Sequence, residues 1–190
     1  MPGVHGKRAE PGNALILTSG LGTGILQAAV EEGRLDAGAC KDAIPSLTSH
    51  DSRLDQLLSR HNVIEAVGVD SSGLAGIALK IADANEVSLA FEESDLPLLP
   101  DVLEMVRGGT VTEKGECNRS IVGPQVNIAE EVGSEMVEVF FDPQLPGGLL
   151  VVAPDGDAMP LLASLHELGY ADAAIVGRVI ARGKFAIELV

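Results

Sequence analysis

Aromatic side chains are nearly missing from this chain of 190 residues, which has four Phe, one Tyr and no Trp. Its interior must therefore be filled by Leu, Val, Ile and Ala, the usual filling of layered α/β structures with buried strands. Cysteine is scarce as well. Cys40 and Cys117 stand far apart, with no C-x-x-C pair and no Cys/His metal spacing, which argues for reduced thiols in a cytosolic protein. Positive charge is in short supply: 13 Lys and Arg face 28 Asp and Glu, a formal net charge of −15. Nucleic acid and anionic membrane surfaces both require clustered basic residues, so neither is expected as a partner. No apolar run approaches transmembrane length, and the N-terminus lacks the apolar core of a signal peptide. A cytoplasmic location is expected.

What is present is a 46% hydrophobic content, enough for one folded domain with a single substantial core. Residues 1–13 are polar, carry Pro2, Gly3, Pro11 and Gly12, and read as a loose arm or interface segment. The domain is expected over 14–190. Short apolar runs between turn signals read as strands at Ala14–Leu17, Val63–Val69, Val87–Phe91 and Leu149–Ala153. Helices are expected at Ile25–Glu32, Asp51–Arg60, Leu74–Ala84 and Leu98–Val106, the last with Pro97 and Pro100 in its first turn. A further helix reads from Ala158 to Leu168, with Asp155 and Asp157 as N-caps. Thr110–Asn118 shows no periodicity and reads as a loop. Met136–Phe141 fits a strand or a helix end equally. Ala173–Ala181 and Phe185–Leu189 read as a hairpin about Arg182-Gly183-Lys184. The alternation of strands and helices points to a layered α/β or α+β domain.

Three segments could carry chemistry. In the first, a strand leads through Thr18-Ser19-Gly20-Leu21-Gly22-Thr23-Gly24 into a helix start. Glycines can turn backbone N–H groups inward there, and a helix N-terminus adds partial positive charge, so Thr18, Gly20, Gly22, Thr23 and Gly24 are candidate phosphate-binding residues. The pattern is neither a Walker A loop nor G-x-G-x-x-G, and it equally suits a plain strand-to-helix turn. In the second, Asp70-Ser71-Ser72-Gly73 follows a strand. Asp70 suits a cation ligand or a helix cap, with Ser72 and Gly73 as ligand neighbours. In the third, Asp142-Pro143-Gln144-Leu145-Pro146-Gly147-Gly148 is a proline-stiffened turn whose Gly147 and Gly148 permit close backbone approach. It reads as a structural turn or a ligand loop. His5, His50, His61 and His166 have no partner at metal or triad spacing, and no catalytic residue is assigned.

Together these segments resemble the C-terminal half of selenophosphate synthetase (selenide, water dikinase). There they read roughly L-T-K-P-L-G-T-G-I-L, T-D-V-T-G-F-G-L and D-P-Q-T-S-G-G-L-L. Gly108-Gly109 with Asn118, and Ile175-Val176-Gly177-Arg178-Val179, resemble two further stretches of that half. The resemblance covers about Gly12 to Leu189. It implies the C-terminal fold shared with aminoimidazole ribonucleotide synthetase, thiamine-monophosphate kinase and a hydrogenase maturation factor: a three-layer α/β sandwich, partly ferredoxin-like. It also implies Mg²⁺ and ATP as the family's cofactors, with Asp70 at the position of a metal-binding aspartate. Departures accompany it. Ser19-Gly20 replace a Lys-Pro pair, Leu145-Pro146 replace Thr-Ser, and Val69 and Leu74-Ala75 replace Thr and Phe-Gly.

The N-terminal half of that family, with most of the ATP site and the catalytic cysteine or selenocysteine, has no counterpart here. The expectation is a ligand-binding or accessory component of an ATP-dependent phosphotransferase system, inactive alone and binding no cofactor by itself. The alternatives are a stand-alone regulatory protein that has lost the chemistry, and a fragment of a two-domain enzyme. Expected partners are a separate N-terminal ATP-binding half and a second copy of the chain in a two-fold dimer, since an unpartnered apolar face is seldom left open to water.

Overall fold

The computed structural model describes residues 7–43 and 52–190. Seven strands form one mixed sheet: β1 (Ala14–Leu17), β2 (Glu65–Gly68), β3 (Val87–Phe91), β4 (Val126–Ile128), β5 (Leu149–Ala153), β6 (Ala174–Ala181) and β7 (Ile187–Leu189). Their order is β2-β5-β1-β6-β3-β7-β4. β5 runs antiparallel to both of its neighbours, β1 and β2. Eight α-helices accompany the sheet among the described residues: α1 (Thr23–Glu31), α2 (Ala37–Ala43), α3 (Ser52–Arg60), α4 (Gly73–Asn85), α5 (Val102–Arg107), α6 (Glu113–Val122), α7 (Ser134–Phe141) and α8 (Asp155–Leu168).

The strands alternate between two cores because successive side chains point to opposite faces. Leu15, Leu17, Leu150 and Val152 face the larger core, against residues of α1, α4, α5 and α7. Ala14, Ile16, Val151 and Ala153 face a smaller core with Leu54 and Leu58 of α3 and Leu161 and Leu165 of α8. β1 and β5 are buried throughout. Burial on both faces explains why they read as unbroken apolar runs. The result is the expected α/β sandwich of three layers, helix–sheet–helix. The larger core gathers the scarce aromatics: Phe140 meets Phe91 and Phe141 edge-on, with ring centroids 5.4 and 5.7 Å apart.

The four strands expected at Ala14, Val63, Leu149 and Ala173 all lie in the sheet, the second of them shortened to Glu65–Gly68. Elsewhere the structure corrects the sequence reading. β6 and β7 form no hairpin, because β3 lies between them and pairs with both. The Ser88 hydroxyl ties down the intervening turn by donating to Phe185 O at 2.6 Å and accepting from Gly183 N–H at 3.0 Å. Thr110–Asn118 is not a loop, since α6 starts at Glu113 with Thr112 as its cap. Its inward face holds Gly115, Asn118 and Val122, so no apolar stripe marks it. Leu98 forms a bridge to Leu21, and α5 starts only at Val102, after Asp101 at φ 67°. Asp155 and Asp157 lie inside the first turn of α8, whose cap position is Pro154. Met136–Phe141 is helical. Of the expected arm, Ala9 is buried and its N–H donates to Asn85 Oδ1 at 2.9 Å. Residues 1–6, His50 and Asp51 lie outside the described residues.

Phe140→Ala should cost about 3–5 kcal/mol of stability, because it removes both edge-to-face partners from a closed core. Urea unfolding followed by circular dichroism measures this, and a loss below 1 kcal/mol would mean that the aromatic cluster is not central.

Candidate functional site

β1 and β2 run toward one end of the sheet and β5 starts from it, so the loops after β1, after β2 and before β5 meet there. Backbone bonds pin them together. Thr18 N–H donates to Leu149 O at 3.0 Å, Val69 N–H to Gly148 O at 2.8 Å, and Gln144 N–H to Asp70 O at 3.0 Å. The Thr18 hydroxyl accepts from Leu149 N–H at 2.8 Å. All three predicted segments are thus brought into one cluster. Gly20 lies at its margin, packed on Leu98 and Leu99, where an added Cβ would come within 3.0 Å of Leu99 N.

The cluster is held by two buried polar side chains that the sequence reading did not single out. Gln144 Oε1 accepts from Gly22 N–H at 3.0 Å, from Thr23 N–H at 3.2 Å and from the Thr23 hydroxyl at 3.3 Å. Asp142 Oδ2 accepts from Gly24 N–H at 3.0 Å and Ile25 N–H at 3.2 Å. Gln144 Nε2 donates to the same oxygen at 3.1 Å. Asp142 Oδ1 accepts from the Thr112 hydroxyl at 3.1 Å. The first amides of α1, the groups expected to cradle an anion, therefore already donate to a carboxyl oxygen and an amide oxygen of the third loop, so these helix N-terminal donors are satisfied from within the chain. Asn118 completes the set, with Nδ2 donating to Ser71 O and Phe141 O, each at 2.9 Å. A polar position between Gly115 and Val122 at helical spacing was the available signal for Asn118. For Asp142 and Gln144 it was their place between an apolar helix and a proline-glycine turn.

The glycines are fixed by contact. A Cβ on Gly147 would strike Val69 O, and one on Gly148 would strike the Ser19 and Thr18 hydroxyls. On Gly24 it would lie 2.6 Å from Asp142 Oδ1. Gly73, at φ 72°, occupies the left-handed region and would bring a Cβ within 2.8 Å of Phe141 O, so both conformation and space demand glycine. The Leu145–Pro146 peptide is cis.

Asp70 is exposed and differs from Asp142. Its Oδ1 accepts from Ser72 N–H at 2.7 Å and from the Ser72 hydroxyl at 2.6 Å, while Oδ2 lies 3.7 Å from Lys80 Nζ. Ser72, not Asp70, holds the cap position of α4. Partial burial raises the Asp70 pKa, but the Ser72 bonds and the Lys80 charge outweigh it and hold the carboxyl below its ordinary value. Asp70 can offer one oxygen to a cation such as Mg²⁺, which demands several. Among the described residues no group of three or more His, Cys, Asp or Glu stands ready to hold a metal ion.

A mixed sheet sandwiched by helices, with three interlocked loops at one end, defines a three-layer α/β domain. Residues 10–190 match the family model described as "AIR synthase related protein, C-terminal domain", and the chain belongs to that family. Among curated relatives it is similar to a selenide, water dikinase of Clostridioides difficile, at 26% identity over 93% of this chain and 51% of the relative. Another, from Nitratidesulfovibrio vulgaris, is 36% identical over 85% of this chain and 47% of the relative. The chain thus spans about half the length of the curated relatives it matches. Among solved structures, E. coli HypE, a hydrogenase maturation protein, superimposes with a TM-score of 0.63 at 21% identity, over 95% of this chain and 46% of that one. Thiamine-monophosphate kinase from Stenotrophomonas maltophilia gives 0.58 at 16%, over 96% and 51%. These two likenesses speak for the fold. No described helix is long and apolar enough to cross a membrane.

Burial pushes the Asp142 carboxyl up to about 7 from 3.8, with the Ile25 amide, the Thr112 hydroxyl, the Gly24 amide and Gln144 pulling it partly back. The folded protein then holds a proton that the unfolded chain releases earlier. This contribution to stability is complete below pH 3.8 and is lost as pH rises toward about 7, a fall on the order of 4 kcal/mol. Asp142→Asn keeps one oxygen for the three N–H donors and presents an NH₂ to the Thr112 hydroxyl. It should fold and flatten this slope in urea titrations across the same range. An unchanged slope would mean that Asp142 is ionised throughout.

Proposed function

We propose that this chain is the C-terminal half of a selenide, water dikinase-like system and works only together with an N-terminal ATP-binding half, carried on a separate chain or on a longer parent. In this reading it is an accessory component of ATP-dependent phosphoryl transfer with no turnover of its own. The observation that carries the reading is the interlocked loop cluster. Asp142 and Gln144 occupy the amides of Gly22, Thr23, Gly24 and Ile25, which makes the first and third loops a rigid wall. Thr18, Gly20, Gly147 and Gly148 shape that wall, and Asp70 with Ser72 and Gly73 forms its ligand-facing edge. Asp70 would offer one carboxylate oxygen to Mg²⁺, an ion that would neutralise phosphate charge, and its remaining ligands would come from the other half.

The curated relatives support this reading, because the matched region is about half of a selenide, water dikinase in each case. HypE has also been solved in complex with ATP, within a chain of which this one covers 50%. The replacement of the family's Lys-Pro by Ser19-Gly20 supports dependence on a partner, since it removes a cation beside the phosphates. Alone, the chain pairs with a second copy through the face that would meet the other half, where Leu145 is 56% exposed beside Pro146. A cytoplasmic location fits a soluble partner of this kind.

The purified chain should show no selenide- and Mg²⁺-dependent ATP turnover, and addition of its N-terminal-half partner should restore it. In the restored system Asp70→Ala should lower kcat by about tenfold or more. Metal-dependent ATP hydrolysis by the chain alone, abolished by Asp70→Ala, would overturn the dependence on a partner. Light scattering at micromolar concentration checks self-association, for which a dimer mass is expected.

A further inference from the structure

Far from the three loops, α3 and α8 enclose a cleft of about 380 Å³. Its walls carry Arg53, Arg60 and His61, and its floor includes Leu57 and Leu168. A second cleft of about 500 Å³ shares Arg60 and His61 and adds Lys7 and Asn62. We propose that this double cleft is a binding site for a small tetrahedral oxyanion, such as the phosphate group of a metabolite. The proposal does not depend on the function argued above.

Three observations carry it. The first is local charge balance. In a chain of net charge −15, with only 13 Lys and Arg, the double cleft gathers Lys7, Arg53 and Arg60 against two carboxylates, Glu167 and Asp157, so its lining is locally basic where the chain is acidic. The second is the state of Arg60. Arg8, Arg34, Arg107, Arg119, Arg178 and Arg182 each stand within 3.5 Å of a carboxylate. Arg53 also has a partner. Arg60 makes neither an ion pair nor a side-chain hydrogen bond among the described residues, although acidic groups outnumber basic ones two to one. A guanidinium left without a carboxylate in such a chain keeps its fork of donors for a ligand. The third is the neighbouring donor set. Asn62 Oδ1 is taken by Lys7 Nζ at 3.2 Å, which leaves the Asn62 NH₂ and the His61 ring for an anion.

Sulfate is the suitable probe, because it is a tetrahedral oxyanion that a guanidinium fork can bind in bidentate fashion. Titrated at fixed ionic strength and followed by amide chemical shifts, it should give saturable changes at Arg60 and His61 with a millimolar Kd. Exposed Arg60→Ala should leave the fold intact and weaken binding by about fivefold or more. Absence of saturation, unchanged binding in Arg60→Ala, or equal shifts with chloride would overturn the proposal. Equal affinity for acetate would overturn the tetrahedral class.

Discussion

The structure depends on one buried arrangement, the seating of the Asp142 carboxylate and the Gln144 amide on the first N–H groups of α1. Both side chains are 1% exposed, and among the described residues no cation pairs with the Asp142 carboxyl group. Without them the amides of Gly22, Thr23 and Ile25 would be buried and unsatisfied, at a cost of one to several kcal/mol for each group, while Gly24 N–H would keep Pro143 O as an acceptor. With them, the loop after β1 is joined to the loop before β5. The backbone bond from Gln144 N–H to Asp70 O then brings in the loop after β2. Thr112 and Asn118 add α6 to the same knot.

That knot explains the glycines better than ligand binding does on its own. Gly24, Gly73, Gly147 and Gly148 each lie against a backbone carbonyl or a polar side chain of another loop, where a methyl group has no room. Close approach of three backbones lets so few side chains hold the end of the sheet. The same packing leaves Asp70 and Ser71 outward, just past the end of β2. The rigid wall and the exposed edge are two consequences of one interlock.

The two acidic residues of the cluster show how environment divides a single residue type. Asp70, at the surface, is held below the ordinary carboxyl range by Ser72 and Lys80 despite partial burial. Asp142, in the interior, is raised because burial outweighs its four hydrogen-bond donors. From the sequence both were carboxylates beside a turn. Asp70 could be singled out because it follows a strand and precedes a helix. The structural part played by Asp142 and Gln144 could not, because their partners lie 117 to 122 positions away.

Local sequence determined the strands of the sheet centre. Ala14–Leu17, Val87–Phe91 and Leu149–Ala153 are short apolar runs between turn residues, and burial on both faces leaves such runs little alternative. It also determined α4, where the helix from Leu74 to Ala82 is apolar apart from Lys80. Tertiary structure decided the rest. Adjacency in the chain suggested that β6 should pair with β7, but β3 lies between them because it can bond to both edges. α6 was illegible because its inward side chain, Asn118, is chosen for two carbonyls of other segments and not for apolar packing. Hydrophobic period records what a residue buries. It cannot record which distant backbone group a buried polar side chain will satisfy, and that pairing is what assembled the site.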